Sequence, residues 1–231
     1  MIGMKYLLIS VFLMWFVTPS IAQPNESPYQ VGILVMDGVY NTELTAPYDI
    51  FQHTVFRKGI RTMEVFLVSE DGGRVKTFEG MTVEVDYSFE DVPNIDILVV
   101  PAAEGHLGSD LENDRLLKWV RKASKKAKFV TSHCDGSFLL AASGLPKGTH
   151  VTTFPSDQDE MENRFPDLKV HRDVLFVHDG KYITGIGGAR SFEAALYLCD
   201  HLYGAEITKE LARGMAMQWN LNELKYYRNK D

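Results

Sequence analysis

The sequence predicts an α/β domain in three layers, with helices on both faces of a mostly parallel sheet. Three observations predict it. Near-continuous apolar runs such as residues 95–100 are of the kind buried on both faces of a sheet. Amphipathic helical stretches alternate with them, and Asp-Gly or Gly-Gly pairs punctuate the joins.

Residues 1–22 are expected to lie outside that fold. Lys5 precedes an apolar run over residues 6–17, and Pro19-Ser20-Ile21-Ala22 places small residues at the −3 and −1 positions of a cut after Ala22. This is the anatomy of a secretory signal peptide, and the run is short for a membrane span. The expectation is an exported protein, periplasmic or secreted, with no membrane attachment after cleavage. A polar lead-in over 23–30 and a single domain over 31–231 would follow.

Residues 30–35 read as the first buried strand, ended by Asp37-Gly38. Residues 44–57 are helical, with Leu44, Tyr48, Phe51 and Val55 on one face. Residues 64–69 form the second strand, closed by Asp71-Gly72-Gly73. Residues 75–77 and 81–85 alternate around Glu79-Gly80 as a small hairpin or edge pair. The apolar run at 95–101 is the third sheet strand, and 113–125 is a helix.

Residues 127–131 are a strand that passes through Cys134 into a helix over 136–142. Short strands follow at 150–153, 168–170, 174–178 and 181–184, the last two joined by the turn Asp179-Gly180. Gly187-Gly188-Ala189 opens a helix carrying Cys199, and 207–227 reads as a final helical region. In parallel sheets, sites gather at the carboxyl ends of the strands. Residues 36–43, 101–105 and Cys134-Asp135 are therefore expected to converge.

Net charge is −7, which argues against a nucleic-acid partner. The basic cluster at 121–126 reads as a solvated helix face. Cys134 and Cys199 could form a disulfide in an exported protein, but an elbow and a core helix face are poor partners, and free thiols are expected. The histidines lack His-x-x-x-His spacing and no Cys-x-x-Cys occurs, so no metal and no cofactor are expected. Residues 185–188, Gly-Ile-Gly-Gly, fit neither phosphate-loop nor dinucleotide spacing; helix–sheet packing explains them.

A cysteine on a strand-to-helix bend is an exposed nucleophile with backbone N–H groups aimed at it. The positive end of the following helix would favour its thiolate. Glu43 is either a helix-start carboxylate or an acid reaching across the strand ends to Cys134. Asp135 is either a general base or a helix-start carboxylate, and its charge would oppose a thiolate. His133 should point away from the sulfur by strand alternation. His106, after the third strand, could reach the site.

The stretch 151–155, Val-Thr-Thr-Phe-Pro, following Ser132-His133-Cys134-Asp135-Gly136, with Glu43 four residues before Pro47, resembles the ThiJ/PfpI superfamily. The similarity runs from the first strand to the Cys199 helix. Residues 41–51 are closest to the isonitrile-hydratase and AraC-like-regulator branch, and no DNA-binding domain is expected here. The resemblance implies a class I glutamine amidotransferase-like (flavodoxin-like) fold, an elbow thiol at Cys134 near the acid Glu43, and an oxyanion pocket from the backbone amides of Ala103 and Asp135. It also implies a homodimer.

Three departures mark this chain. Phe154 replaces a histidine common in relatives, Ala102-Ala103 replaces Gly-Gly, and Asp135 replaces Thr or His. These count against protease and isonitrile-hydratase activity. The expected function is a cysteine-dependent hydrolase or lyase of a small electrophile such as a reactive carbonyl, with Phe154 and His106 as pocket residues. The alternative is a redox-sensing or ligand-binding module that works by oxidation of the same cysteine.

Overall fold

The structure is a computed structural model that describes residues 26–230. The expected signal peptide lies outside the described residues. An eight-stranded sheet runs in the order β12-β10-β11-β7-β6-β1-β2-β5. Its strands are β1 (Tyr29–Leu34), β2 (Met63–Ser69), β5 (Tyr87–Ser88), β6 (Ile97–Val100), β7 (Phe129–His133), β10 (Phe176–Asp179), β11 (Tyr182–Gly185) and β12 (Tyr226–Arg228). Every pairing is parallel except β10 with β11. The hairpin β3 (Gly73–Lys76) and β4 (Thr82–Val85) is antiparallel, and β8 (His150–Val151) pairs in parallel with β9 (Lys169–Val170).

The period of two along each strand divides the core. Val31, Ile33, Ile97 and Val99 face one cluster, shared with α1 (Asn41–Gln52), α5 (Ser191–Tyr203) and α6 (Ala205–Gly214). Leu34, Leu98, Val100 and Val130 face another, shared with α2 (Asp114–Lys126) and α3 (Gly136–Ala142). This is the layered α/β sandwich that the alternation predicts.

Helix α2 begins where Asn113 accepts hydrogen bonds from the N–H groups of Arg115 and Leu116, a side-chain cap for two otherwise unpaired donors. It ends where Lys181 Nζ donates to the carbonyls of Lys125 and Ala127 at 3.2 Å each, and to that of Ser124. A cation there complements the negative end of the helix. The exposed side chains of Arg121, Lys122, Lys125 and Lys126 form the solvated face expected of this cluster.

Three expectations are corrected. Helix α1 stops at Gln52 and continues as a 3-10 turn over His53–Phe56. Buried Thr54 accepts from the N–H of Met63 and donates to the carbonyl of Phe51; Val55 is thereby turned out to solvent, 48% exposed. Helix α4 (Gln158–Arg164) appears where no element is expected. Strand β8 pairs with β9 in a small sheet of its own.

The region 207–227 is helical only to Gly214. Ala216 then adopts φ 55°, and β12 closes the sheet edge against β10. Trp219 is buried and donates from Nε1 to Asp200 Oδ2 at 2.6 Å, so this segment is tied to α5.

Candidate active site: a cysteine elbow beside a buried glutamate

Strand β7 ends at His133, and α3 begins at Gly136. Cys134 makes the bend, with φ 54°. That conformation costs a non-glycine residue about 1–2 kcal/mol, so its surroundings must enforce it. The N–H of Cys134 donates to the Gly185 carbonyl at 2.9 Å. Its own carbonyl accepts from the hydroxyls of Ser137 at 2.9 Å and Thr153 at 3.2 Å. Gly136 seats the elbow on β6: a Cβ there would stand 2.1 Å from the carbonyl oxygen of Val100.

Glu43 lies in the first turn of α1 and is 4% exposed. Its Oε2 accepts from the N–H of Ala102 at 3.0 Å, and its Oε1 accepts from the N–H of Gly188 at 2.9 Å. Burial pushes this carboxyl above its ordinary range, against the pull of those two donors. Gly187, at φ 80°, fills the angle between acid and thiol. A Cβ on it would stand 2.3 Å from Cys134 Cβ and 2.7 Å from Glu43 Oε1. Glycine is the residue that permits this approach.

Cys134 is 7% exposed. Burial pushes its thiol up, and the negative charges of Glu43 and Asp135 push it further; the Asp135 N–H pulls the other way. The expected thiolate bias from the helix dipole is therefore outweighed in the resting site. Asp135 is pushed up to about 6 by burial and then by Asp157, while its Oδ1 accepts from Thr153 at 3.0 Å. It is a carboxyl that can exchange a proton near neutrality.

The Ala103 amide does not stand free. It donates to His106 Nδ1 at 3.2 Å, so one of the two amides expected to form the oxyanion pocket is already engaged. His106 itself is fully buried, and burial pushes it down to about 3. Its ring supports the Ala103 turn from beneath, which corrects its expected place in the pocket. His133 is buried and pushed down to about 4, with no partner at either ring nitrogen among the described residues. Phe154 is 41% exposed and follows Thr153, the residue bonded to the elbow. Cys134 and Cys199 are both free and buried.

The profile described as the DJ-1/PfpI family matches residues 29–200. The chain belongs to the DJ-1/PfpI family. It is 31% identical over 177 residues to an isonitrile hydratase of Pseudomonas putida, covering 77% of this chain and 73% of that one. It is 30% identical over 157 residues to a deglycase of Pyrococcus abyssi, covering 67% of this chain and 88% of that one. A solved ThiJ/PfpI family protein from Pseudomonas syringae superposes with a TM-score of 0.74 at 21% identity, over 90% of this chain and 83% of that one. Drosophila melanogaster DJ-1beta gives 0.71 at 21%, over 83% of this chain and all of that one. At that identity the likeness is one of fold.

In this DJ-1/PfpI chain the three expected segments do meet: Tyr40 donates its N–H to the Ala102 carbonyl, and Glu43 accepts from Ala102 beside Cys134. Four participants were not among the expected site residues. Gly187 and Gly188 touch Cys134 and Glu43, whereas sequence alone assigns them to packing; that reading holds for Gly185, whose Cβ would meet Ala194 Cβ at 3.1 Å. Thr153 ties the elbow to the β8 loop. Tyr40 feels the negative charge of Cys134, Glu104, Asp135 and Glu43, which with burial pushes its phenol up. A cavity of about 390 Å³, lined by Pro155, Gln158, Ile186 and Arg190 among others, lies beside the elbow and not over the sulfur.

Proposed function

We propose that this DJ-1/PfpI protein is a cysteine-dependent enzyme acting on a small electrophile such as a reactive carbonyl. The observation that carries this reading is the placement of Glu43. Two backbone N–H groups fix its carboxyl, and Glu43 Oε1 and the Cys134 Cβ both lie within 3 Å of where a Cβ on Gly187 would stand. The isonitrile hydratase and deglycase relatives, both named as enzymes, support it.

In the proposed step the Cys134 sulfur forms a bond to the carbonyl carbon as its proton passes to the Glu43 carboxylate. The C=O π pair moves onto oxygen, near the Asp135 N–H. The Glu43 acid then returns the proton to that oxygen, leaving a neutral hemithioacetal and an ionised Glu43. Asp135, poised near neutrality, is the proton carrier for the later step, the role that Phe154 cannot fill.

Cys134→Ser tests the reading: turnover of small aldehydes and ketoaldehydes should be abolished while circular dichroism and melting temperature are retained. Unchanged turnover in that variant would refute it. A second reading draws on the buried, neutral state of His106 and His133, which leaves no imidazole to carry protons. It makes Cys134 a redox-sensing thiol in a non-catalytic module. Intact mass after mild peroxide separates the two, since a sensor gains oxygen at Cys134 and turns over nothing.

The proposal extends to export and assembly. Residues 1–22 would be removed before Gln23, and the mature domain would act as a homodimer on small molecules. N-terminal sequencing of secreted material and sedimentation equilibrium are the corresponding tests.

A further inference from the structure

The loops around Cys134 carry an excess of negative charge. Asp135 follows Cys134 directly, and Glu43 Oε1 and the Cys134 Cβ crowd the same side of Gly187. Glu104 rests against Gly38, where its Oε2 would be 3.5 Å from a Cβ, and its N–H donates to the Gly38 carbonyl. Glu79, at the tip of the β3–β4 hairpin, accepts from the N–H of Asn41 at 3.0 Å, two residues before Glu43. Asp157 sits on the turn that Phe154 begins, its N–H bonded to the Phe154 carbonyl. These charges are felt inside the site: Glu79 acts on Glu43, Asp157 on Asp135, and Glu104 on Tyr40.

The cations on the same loops do not balance them. Arg190 is paired with Glu193 at 2.5 Å and Arg74 with Glu84 at 2.6 Å, which leaves Lys76 as an exposed cation on β3. Apolar rings complete the surroundings. Tyr40 packs against Phe78 with ring centroids 4.8 Å apart, and Phe78 and Phe154 are 54% and 41% exposed. Aromatic faces among carboxylates favour an apolar or cationic guest and repel an anionic one.

We infer that the Cys134 site selects uncharged or cationic small electrophiles and excludes those bearing a carboxylate or phosphate, with Glu104 and Asp157 as specificity-determining residues. This deepens the enzyme reading and rests on it for the word substrate, but not for its test.

The test labels Cys134 in the mature protein with three methanethiosulfonates of similar size: trimethylammonium-ethyl, sulfonatoethyl and neutral propyl. In each case the sulfur attacks the thiosulfonate sulfur, a mixed disulfide forms, and methanesulfinate leaves. Rates at Cys134 are read by peptide mapping and divided by those of N-acetylcysteine. The normalised cation-to-anion ratio should exceed about tenfold at low ionic strength and fall toward one in 0.5 M salt. Glu104→Gln with Asp157→Asn should lower it severalfold. Lowering the pH through about 6, where Asp135 takes up its proton, should lower it as well; the ratio cancels the thiolate fraction.

A ratio near one, a preference for the anion, or no labelling by any reagent would overturn the inference. The first of these together with Cys134-dependent turnover would leave the enzyme reading standing and remove only the charge selection. A high ratio in a protein whose turnover survives Cys134→Ser would do the reverse.

Discussion

Gly187 lies so close to Cys134 that a Cβ on it would stand 2.3 Å from the cysteine Cβ and 2.8 Å from its Cα. The contact is between backbone and elbow, with no flexible side chain to yield. Gly187 also holds φ 80°, where an L-residue is strained. Gly187→Ala should therefore cost about 2 kcal/mol or more, from strain and overpacking together. Melting temperature reads the loss, and Cys134 labelling should change with it. A neutral substitution would mean the elbow is loosely held.

Glu43→Gln keeps the shape of the acid but replaces one acceptor oxygen with an amide donor. That donor must face the N–H of either Ala102 or Gly188. Leaving buried donors unpaired should cost about 1–3 kcal/mol. The same change removes a negative charge that holds the thiol up. The pH midpoint of Cys134 alkylation should accordingly move down in the variant. A midpoint that stays put would uncouple the two residues.

Asp135 gives a pH dependence of definite sign. Its carboxyl sits near 6 against an ordinary 3.8, so the fold favours the protonated form. The stability this contributes is complete below pH 3.8 and is lost as pH rises through 6. Asp135→Asn, which can still accept from Thr153, should be more stable than the parent at pH 7.5. The difference should vanish below about pH 4; denaturant midpoints across that range check it.

His133 works in the opposite direction. It is fully buried and held near 4 against 6.5, so the unfolded chain takes up the proton first. Stability present above pH 6.5 is lost as pH falls toward 4, by about 3 kcal/mol from this residue. Neither ring nitrogen has a partner among the described residues. His133→Leu should make the acid-side fall in melting temperature shallower. A residual slope is expected from His106, which is held lower still.

The parts of the site legible in the sequence are those whose signals are local. Cys134 announces itself because an apolar strand and a helix meet at it, and α3 falls on the expected residues 136–142. Glu43 and Asp135 are visible as carboxylates beside helix starts. Gly187 is not, because its role depends on β11 lying next to β7 in the sheet, a neighbour relation that periodicity does not report. The Ala103 amide was open to misreading for a similar reason: only the folded turn brings the His106 ring round to accept its proton. Strand β12 was hidden by its length. Three residues carry too little alternation to outweigh the helical pattern before them.

The bond from Gly188 to Glu43 spans 145 residues of sequence, and the contact of Gly187 with Cys134 closes a shorter loop nested within it. The cysteine's chemical environment therefore cannot exist in a chain that has emerged only as far as α3. Loop closure on this scale is paid late, after the local strand–helix units have formed. Cys134 is thus a natural clock for folding. Pulse-labelling of its thiol during refolding would date the moment the last strands dock, while Cys199, sealed within α5, would date the core.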